Sequence, residues 1–488
     1  MGRVTTTPDA PATSEQSSGV GRSSTREGSR VVIVGGGPGG YEAALVARQL
    51  GADVTLVERQ GLGGSAVLTD VVPSKTLIAT AEWMTLTESA GELGIRPRAD
   101  EEISYDADFG TVNARVMALA NKQSTDIRTR LEREGVRVID GTGRLNGPHE
   151  VIATTRHGQM QLPADVVLLA TGARPRELAT AQPDGERILT WTQLYHLNEI
   201  PERLIVVGSG VTGAEFAGAY NALGADVVLV SSRDRVLPGE DADAAELIEE
   251  VFKRRGMEVL SRSRAASARR TEDGVEVELA DGRIVTGSHC LIAVGGVPNT
   301  EDLGLAEAGV AVNERGHIQV DRVSRSTVRG VYAAGDCTGV LPLASVAAMQ
   351  GRIAMWHSLG DAVSPLDLGQ VSANIFTAPE IATVGIAQHK IDSGEVDGAV
   401  TTLPLARNPR AKMLGINEGF VKLFSRRTSG TVIGGVVVAP RASELIFPIT
   451  LAISNRLTVD QVAGAFTVYP SLSGSIAEAA RTLHDARG

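Results

Sequence analysis

The sequence predicts an α/β protein organised around two doubly wound, parallel-sheet units. An internal repeat, the glycine spacing within it and the apolar runs beside it carry that expectation. One stretch, RVVIVGGGPGGYEAALVARQLGADVTLVER, starts at Arg30; another, RLIVVGSGVTGAEFAGAYNALGADVVLVSS, starts at Arg203. They match at a constant offset, down to a shared LGADV, so the chain holds two copies of one supersecondary unit.

Each copy opens with a continuous apolar run, Val31 to Val34 or Leu204 to Val207, as a strand buried on both faces requires. The run leads into G-x-G-x-x-G: Gly35, Gly37 and Gly40 first, then Gly208, Gly210 and Gly213. Pro38 and Gly39 complete the first turn, and Val211 stands where Pro38 does in the second. A helical segment and another apolar run follow each time. A lone triplet is a weak signal. Strand, turn, helix, strand and repetition together specify a Rossmann-like dinucleotide site. Glycine permits the tight turn and the close approach of backbone to a pyrophosphate, whose charge faces the N–H groups at the helix start. Two copies therefore imply two dinucleotides.

The copies differ at one informative place. The first ends its second strand on Glu58, which can accept bonds from a ribose 2′-hydroxyl. The equivalent in the second is Ser231, followed by Arg233 and Arg235. Losing the carboxylate removes repulsion against a 2′-phosphate, and an arginine can pair with that phosphate. The second site is expected to take NADPH; if the arginines are merely solvated, it takes NADH or either.

At 488 residues the chain exceeds a single core, so two to four domains are expected. A net charge of -11 argues against a nucleic-acid groove. Residues 1–29 are rich in Ser, Thr, Gly and Pro, contain no apolar run, and are expected to form a disordered tail. No segment is apolar enough to span a membrane. Cys290 and Cys337 stand alone, outside any C-x-x-C or metal pattern, and are expected to be small buried residues. Without a disulfide framework, a reducing, cytoplasmic setting is the default.

Further motifs occur in fixed order: ATGARP (Ala170 to Pro175), AVGGVPNT (Ala293 to Thr300), VYAAGDC (Val331 to Cys337), FTAPEIATVG, NPRAKMLG and GGVVVAPRASELI. From about Arg30 to the C-terminus the chain resembles the two-dinucleotide flavoproteins, the family of lipoamide dehydrogenase and glutathione reductase. The resemblance implies FAD in the first site, NADPH or NADH in the second, and a C-terminal α+β interface domain that makes a homodimer. It implies a discontinuous FAD domain over 30–172 and 297–364, an NAD(P) domain over 173–296 and a dimerisation domain over 365–488. It leaves open whether dimers assemble further. Asp336 would bond the ribityl chain; Gly64, Thr171, Gly172, Gly335 and Ala344 join the implied FAD contacts, and Gly296 the implied NAD(P) contacts.

The resemblance breaks at residues 63–75, GGSAVLTDVVPSK. The family carries two redox cysteines here, over the flavin; the flanking GG and PSK set the register, and Ala66 and Val71 occupy the cysteine positions. Neither can attack a disulfide. Near the C-terminus the family has His-Pro and then a glutamate, which activate the thiol across the dimer. This chain reads YPSLSGS, with Tyr469 and Gly474 in those places. Tyrosine, with a pKa of about 10, is a poor base at neutral pH. Dithiol chemistry is lost from both sides of the site.

The half that receives hydride is kept. Lys75 of PSK matches the family lysine near flavin N5, and Glu215 matches the glutamate that pairs with it beside the nicotinamide. The lysine charge would favour electron density on the flavin during reduction; the alternative is a purely structural ion pair. A flavoenzyme without a thiol must pass electrons to its acceptor directly. Ala66 and Val71 leave an apolar face, and Tyr469, from the partner subunit, adds an aromatic wall, unless it serves only interface packing. A flat two-electron acceptor fits such a face. The AVL…VPSK and YPSLSGS patterns resemble the family's thiol-lacking NAD(P)H:quinone reductases, and this resemblance supplies the quinone. Two rivals remain: a soluble transhydrogenase or diaphorase, and a non-catalytic redox-sensing flavoprotein.

Overall fold

The computed structural model describes residues 28–88, 90–96 and 105–485. Residues 1–27 of the expected tail lie outside them. Gly28 and Ser29 do not behave as tail. The Gly28 amide donates to the Gly51 carbonyl at 3.2 Å, and the Ser29 carbonyl accepts from the Asp53 amide at 2.9 Å, which extends the first parallel pairing.

The first repeat forms the strand Arg30–Val34, the helix Pro38–Gln49 and the strand Asp53–Glu58. The strands pair in parallel with Arg30 opposite Asp53. The second repeat forms Arg203–Val207, Val211–Ala222 and Asp226–Val230, in the same register, with Arg203 opposite Asp226. The last four residues of each opening strand are buried, as the unbroken apolar runs require. Each strand pair is the centre of a five-stranded parallel sheet. The first runs in the order Val331–Ala333, Val166–Leu169, Arg30–Val34, Asp53–Glu58, Arg137–Asp140. The second runs Glu258–Leu260, Asp226–Val230, Arg203–Val207, His289–Ile292, Ile188–Thr190.

The first sheet is discontinuous in sequence. Its edge strand Val331–Ala333 is added only after the second sheet is complete. The outgoing segment Ala173–Pro175 and the returning segment Gly296–Pro298 pair antiparallel, so both crossings run through one short ribbon. The C-terminal part is a five-stranded antiparallel sheet backed by the helices Phe447–Ser454 and Gly474–Asp485, an α+β layer.

One apolar cluster joins all three parts and positions the site. Leu77 and Ile78 of the helix Val71–Glu88 pack with Phe216 and Tyr220 of Val211–Ala222, and with Ile375, Ile381 and Phe424 of the C-terminal sheet. A buried ion cluster reinforces this docking. The Lys422 ammonium, 1% exposed, contacts Asp241 at 2.8 Å, Asp243 at 2.7 Å and Gln388 at 2.7 Å. Three acceptors make a buried lysine tolerable, and Asp241 caps the helix that follows the Ser231–Glu240 loop. No helix among the described residues is long and apolar enough to cross a membrane.

Candidate active site

The first glycine turn opens on a cavity of about 640 Å³. Gly35 has φ +104°, and a Cβ there would lie 2.2 Å from the Ala170 carbonyl oxygen, so only glycine fits. Gly40 lies behind the turn, where a Cβ would sit 1.9 Å from the Gly35 oxygen; its role is close helix–strand packing. Gly37, Pro38 and Gly39 line the cavity at the start of the helix, whose N-terminus has no side-chain cap. That leaves the helix end available to an anion. Glu58 closes the wall; its carboxylate accepts from the Gly36 and Gln60 amides, both at 2.6 Å. Thr171, Gly172, Gly335, Asp336, Ala344 and Gly64 complete the lining. Burial raises the Asp336 carboxyl above the usual range. A long glycine-walled cavity with a carboxylate at the ribose position fits a dinucleotide such as FAD.

The positions at which the family resemblance implies thiols belong to the same wall. Ala66 and Val71 line the cavity, and between them so does Asp70, which sequence reasoning did not single out. Burial pushes the Asp70 carboxyl up to about 6 against the pull of Lys75, with Glu215 and Asp336 adding to the rise. The available signal was a lone carboxylate in an otherwise uncharged run, SAVLTDVVPS.

Lys75 and Glu215, 140 residues apart, meet at 2.7 Å. Glu215 is 4% exposed and Lys75 25%. The second Glu215 oxygen accepts from the Phe376 amide at 2.9 Å, and the Lys75 ammonium lies 4.9 Å from the Phe376 ring centre. One ion pair thus holds together a helix from each sheet unit and a segment of the C-terminal layer.

The second turn repeats the first. Gly208 has φ +113° with its Cβ direction blocked by Ala293, and Gly213 backs onto Gly208 as Gly40 does onto Gly35. Gly210 and Val211 are exposed at the helix start, which again has no side-chain cap. Ser231 is fully buried. Its hydroxyl meets that of Ser209 at 2.7 Å and accepts from the Arg233 amide at 3.1 Å. The Arg233 amide bond is the counterpart of the Gln60 amide bond to Glu58, while a side-chain contact to Ser209 stands where the Gly36 amide bond stands in the first turn, so a neutral hydroxyl takes the carboxylate's place. Arg233 is exposed and Arg235 partly so. Neither has an ion-pair partner among the described residues. Gly296 lies on the returning ribbon, its carbonyl accepting from Arg176 at 3.0 Å.

Tyr469 does not reach the cavity of its own chain. It is 82% exposed, beside Phe466 at 106% and Val468 at 77%. Gly474 begins the last helix. Cys290 and Cys337 are free and buried, and burial pushes their thiols up to about 12 and about 11.

A doubly wound pair of dinucleotide units, joined by an ion pair and followed by an antiparallel interface-type sheet, defines an oxidoreductase built on two nucleotide sites. Residues 29–351 match the pyridine nucleotide-disulphide oxidoreductase family, and residues 371–480 match its dimerisation domain. The chain belongs to that family. It is 54% identical over 469 residues to the NAD(P)H dehydrogenase (quinone) of Mycobacterium tuberculosis, covering 93% of this chain and 94% of that one. The crystal structure of LpdA from Mycobacterium tuberculosis superposes with a TM-score of 0.89 at 54% identity, over 93% of this chain and 99% of that one. The dihydrolipoyl dehydrogenase of Zymomonas mobilis is 32% identical over 465 residues, 93% of this chain and 98% of that one.

Proposed function

We propose that this protein is an FAD-dependent NAD(P)H:quinone oxidoreductase that works without a redox disulfide. One observation carries the reading: Ala66 and Val71, the positions at which the family resemblance implies thiols, line the cavity, while the Lys75–Glu215 ion pair, one helical turn beyond Val71, is intact. The name of the Mycobacterium tuberculosis relative agrees with it. FAD, held by the turn Gly35–Gly40, Glu58 and Asp336, would supply a carrier between a hydride donor and a two-electron acceptor.

The turn Gly208–Gly213 and Val211 bind the nicotinamide dinucleotide. NADPH is favoured over NADH because Ser231 presents no charge and Arg233 is free to meet a 2′-phosphate. Lys75 holds positive charge next to the redox centre, and Glu215 fixes its position. Ala66 and Val71 leave room for a flat, apolar acceptor, and the partner subunit's Tyr469 closes that side of the site. Its exposure with Phe466, Val468 and Phe447 marks a face suited to burial in a homodimer. FAD-binding residues fall in 30–172 and 297–364, NAD(P)-binding residues in 173–296 and the dimer layer in 365–488. The enzyme works in the cytoplasm, on a quinone that reaches it there or at a membrane surface.

NADPH oxidation measured with a naphthoquinone, with NAD+ and with oxygen alone tests the reading. Rapid turnover that requires the quinone is expected. Rapid transfer to NAD+ alone, or a flavin that NAD(P)H cannot bleach, would overturn it.

A further inference from the structure

Asp70 has no role in the chemistry so far. It lies between the short helix Gly64–Leu68 and the long helix Val71–Glu88, flanked by the two vacated thiol positions. Its amide donates to the Ser65 carbonyl at 2.8 Å, and its carbonyl accepts from the Ser74 amide at 2.8 Å, so its backbone is held from both sides. Its side chain lines the cavity with Ala66 and Val71. The titratable groups around it come from several elements: Lys75 on the helix Val71–Glu88, Glu215 on the helix Val211–Ala222, Asp336 on the turn Asp336–Thr338 and Tyr195 on the turn Leu194–His196. Lys75 is already committed to Glu215 at 2.7 Å. Among the described residues none donates a hydrogen bond to the Asp70 carboxyl. An unpaired carboxyl that lines the cavity beside Ala66 and Val71 is poised to hold a proton rather than a charge, and burial pushes this one up to about 6.

We propose that Asp70 is the acid that protonates the acceptor, an inference that rests on the quinone reading above. A quinone that becomes a quinol gains two electrons and two protons. The hydride equivalent from NAD(P)H brings both electrons and one proton, so an acid must bring the other. The Asp70 O–H bond breaks as the quinol O–H bond forms. The carboxylate left behind lies near the Lys75 charge, and water entering the open cavity returns the proton. The sum is NAD(P)H, quinone and one proton giving NAD(P)+ and quinol.

The test separates electron transfer from proton transfer. Holoenzyme with equal flavin content is reduced with NADPH and mixed in stopped flow with a naphthoquinone or with ferricyanide, which takes electrons singly and binds no proton. Asp70→Asn is expected to slow reoxidation by the quinone by about 10²-fold, the usual worth of a positioned acid, with no such loss for ferricyanide. The wild-type quinone rate should decline as pH rises through about 6. Asp70→Glu should recover most of the rate. A readout independent of turnover is the infrared band of a protonated carboxyl, present in wild-type holoenzyme at low pH, lost across the same range, and missing from Asp70→Asn. Equal slowing with both acceptors, an unchanged quinone rate in Asp70→Asn, or no titrating band overturns the role of Asp70 and leaves the functional reading standing. A wild type that never passes electrons to quinone overturns both.

Discussion

Replacing Lys75 by methionine keeps the bulk of the side chain and removes its charge, which strands Glu215. The carboxylate is 4% exposed and would retain a single bond, from the Phe376 amide. At the observed 2.7 Å, opposite unit charges attract by about 6 kcal/mol at an effective dielectric constant of about 20. Much of that only offsets the cost of drying the carboxylate. Breaking a buried pair from one side typically costs about 3–5 kcal/mol, and partial exposure of the lysine puts this case at the lower end, about 3 kcal/mol. Chemical denaturation of Lys75→Met, Glu215→Gln and the double variant measures it. The double variant should lose less than the sum of the singles, because the second change removes the stranded charge. The same three proteins are then mixed with NADPH in stopped flow. Flavin bleaching should slow by about tenfold or more in Lys75→Met, a loss of about 1.4 kcal/mol in barrier terms, and the double variant should recover stability without recovering rate. Strictly additive losses would refute the coupled pair. A full bleaching rate at full flavin occupancy would refute the electrostatic role and leave Lys75 as a structural residue.

Three other predictions follow from the geometry. Ser231→Glu should restore the charge seen at Glu58 and repel a 2′-phosphate, so the ratio of kcat/KM for NADPH to that for NADH should fall by about tenfold or more; an unchanged ratio would show that Arg233 and Arg235 do not read the phosphate. Tyr469→Ala should raise KM for the quinone while leaving flavin bleaching by NADPH intact, whereas a lower dimer affinity by sedimentation with unchanged KM would assign the tyrosine to packing. Burial raises the Asp70 pKa from 3.8 to about 6, so the unfolded chain ionises first and the folded state loses stability as pH climbs between those values. Asp70→Asn removes that loss, and its advantage over wild type should grow by at most about 3 kcal/mol from about pH 4 to pH 6 and then level off. An advantage that does not vary with pH would mean the carboxyl is not held away from water.

Several features were legible because their physics is local. A glycine at φ +104° with the Ala170 oxygen in its Cβ direction leaves a mark in the sequence, and so does a strand buried on both faces. The repeat multiplied both signals. Others were legible only in part. Ser231 read as a missing charge; the structure adds that its hydroxyl is spent on Ser209, so the turn keeps its shape without a carboxylate. Gly28 and Ser29 read as tail because composition is insensitive to two backbone bonds. Asp70 left only a weak mark, a lone carboxylate in the uncharged run SAVLTDVVPS, which does not by itself separate a solvated aspartate from one that lines a cavity.

The sequence by itself determined the number and order of the nucleotide-binding units, the family, and the absence of thiols at positions 66 and 71. These depend on residue identity and short-range spacing, which a chain displays without folding. The Lys75–Glu215 pair was implied by the family resemblance, and the structure adds its 2.7 Å geometry; only the tertiary structure decided that Phe376 from the C-terminal layer completes their shell, and that Asp70 stands with Ala66 and Val71 on one wall. Separation along the chain carries no distance, and the environment that sets a carboxyl's pKa or dries an ion pair is assembled only when the three parts pack.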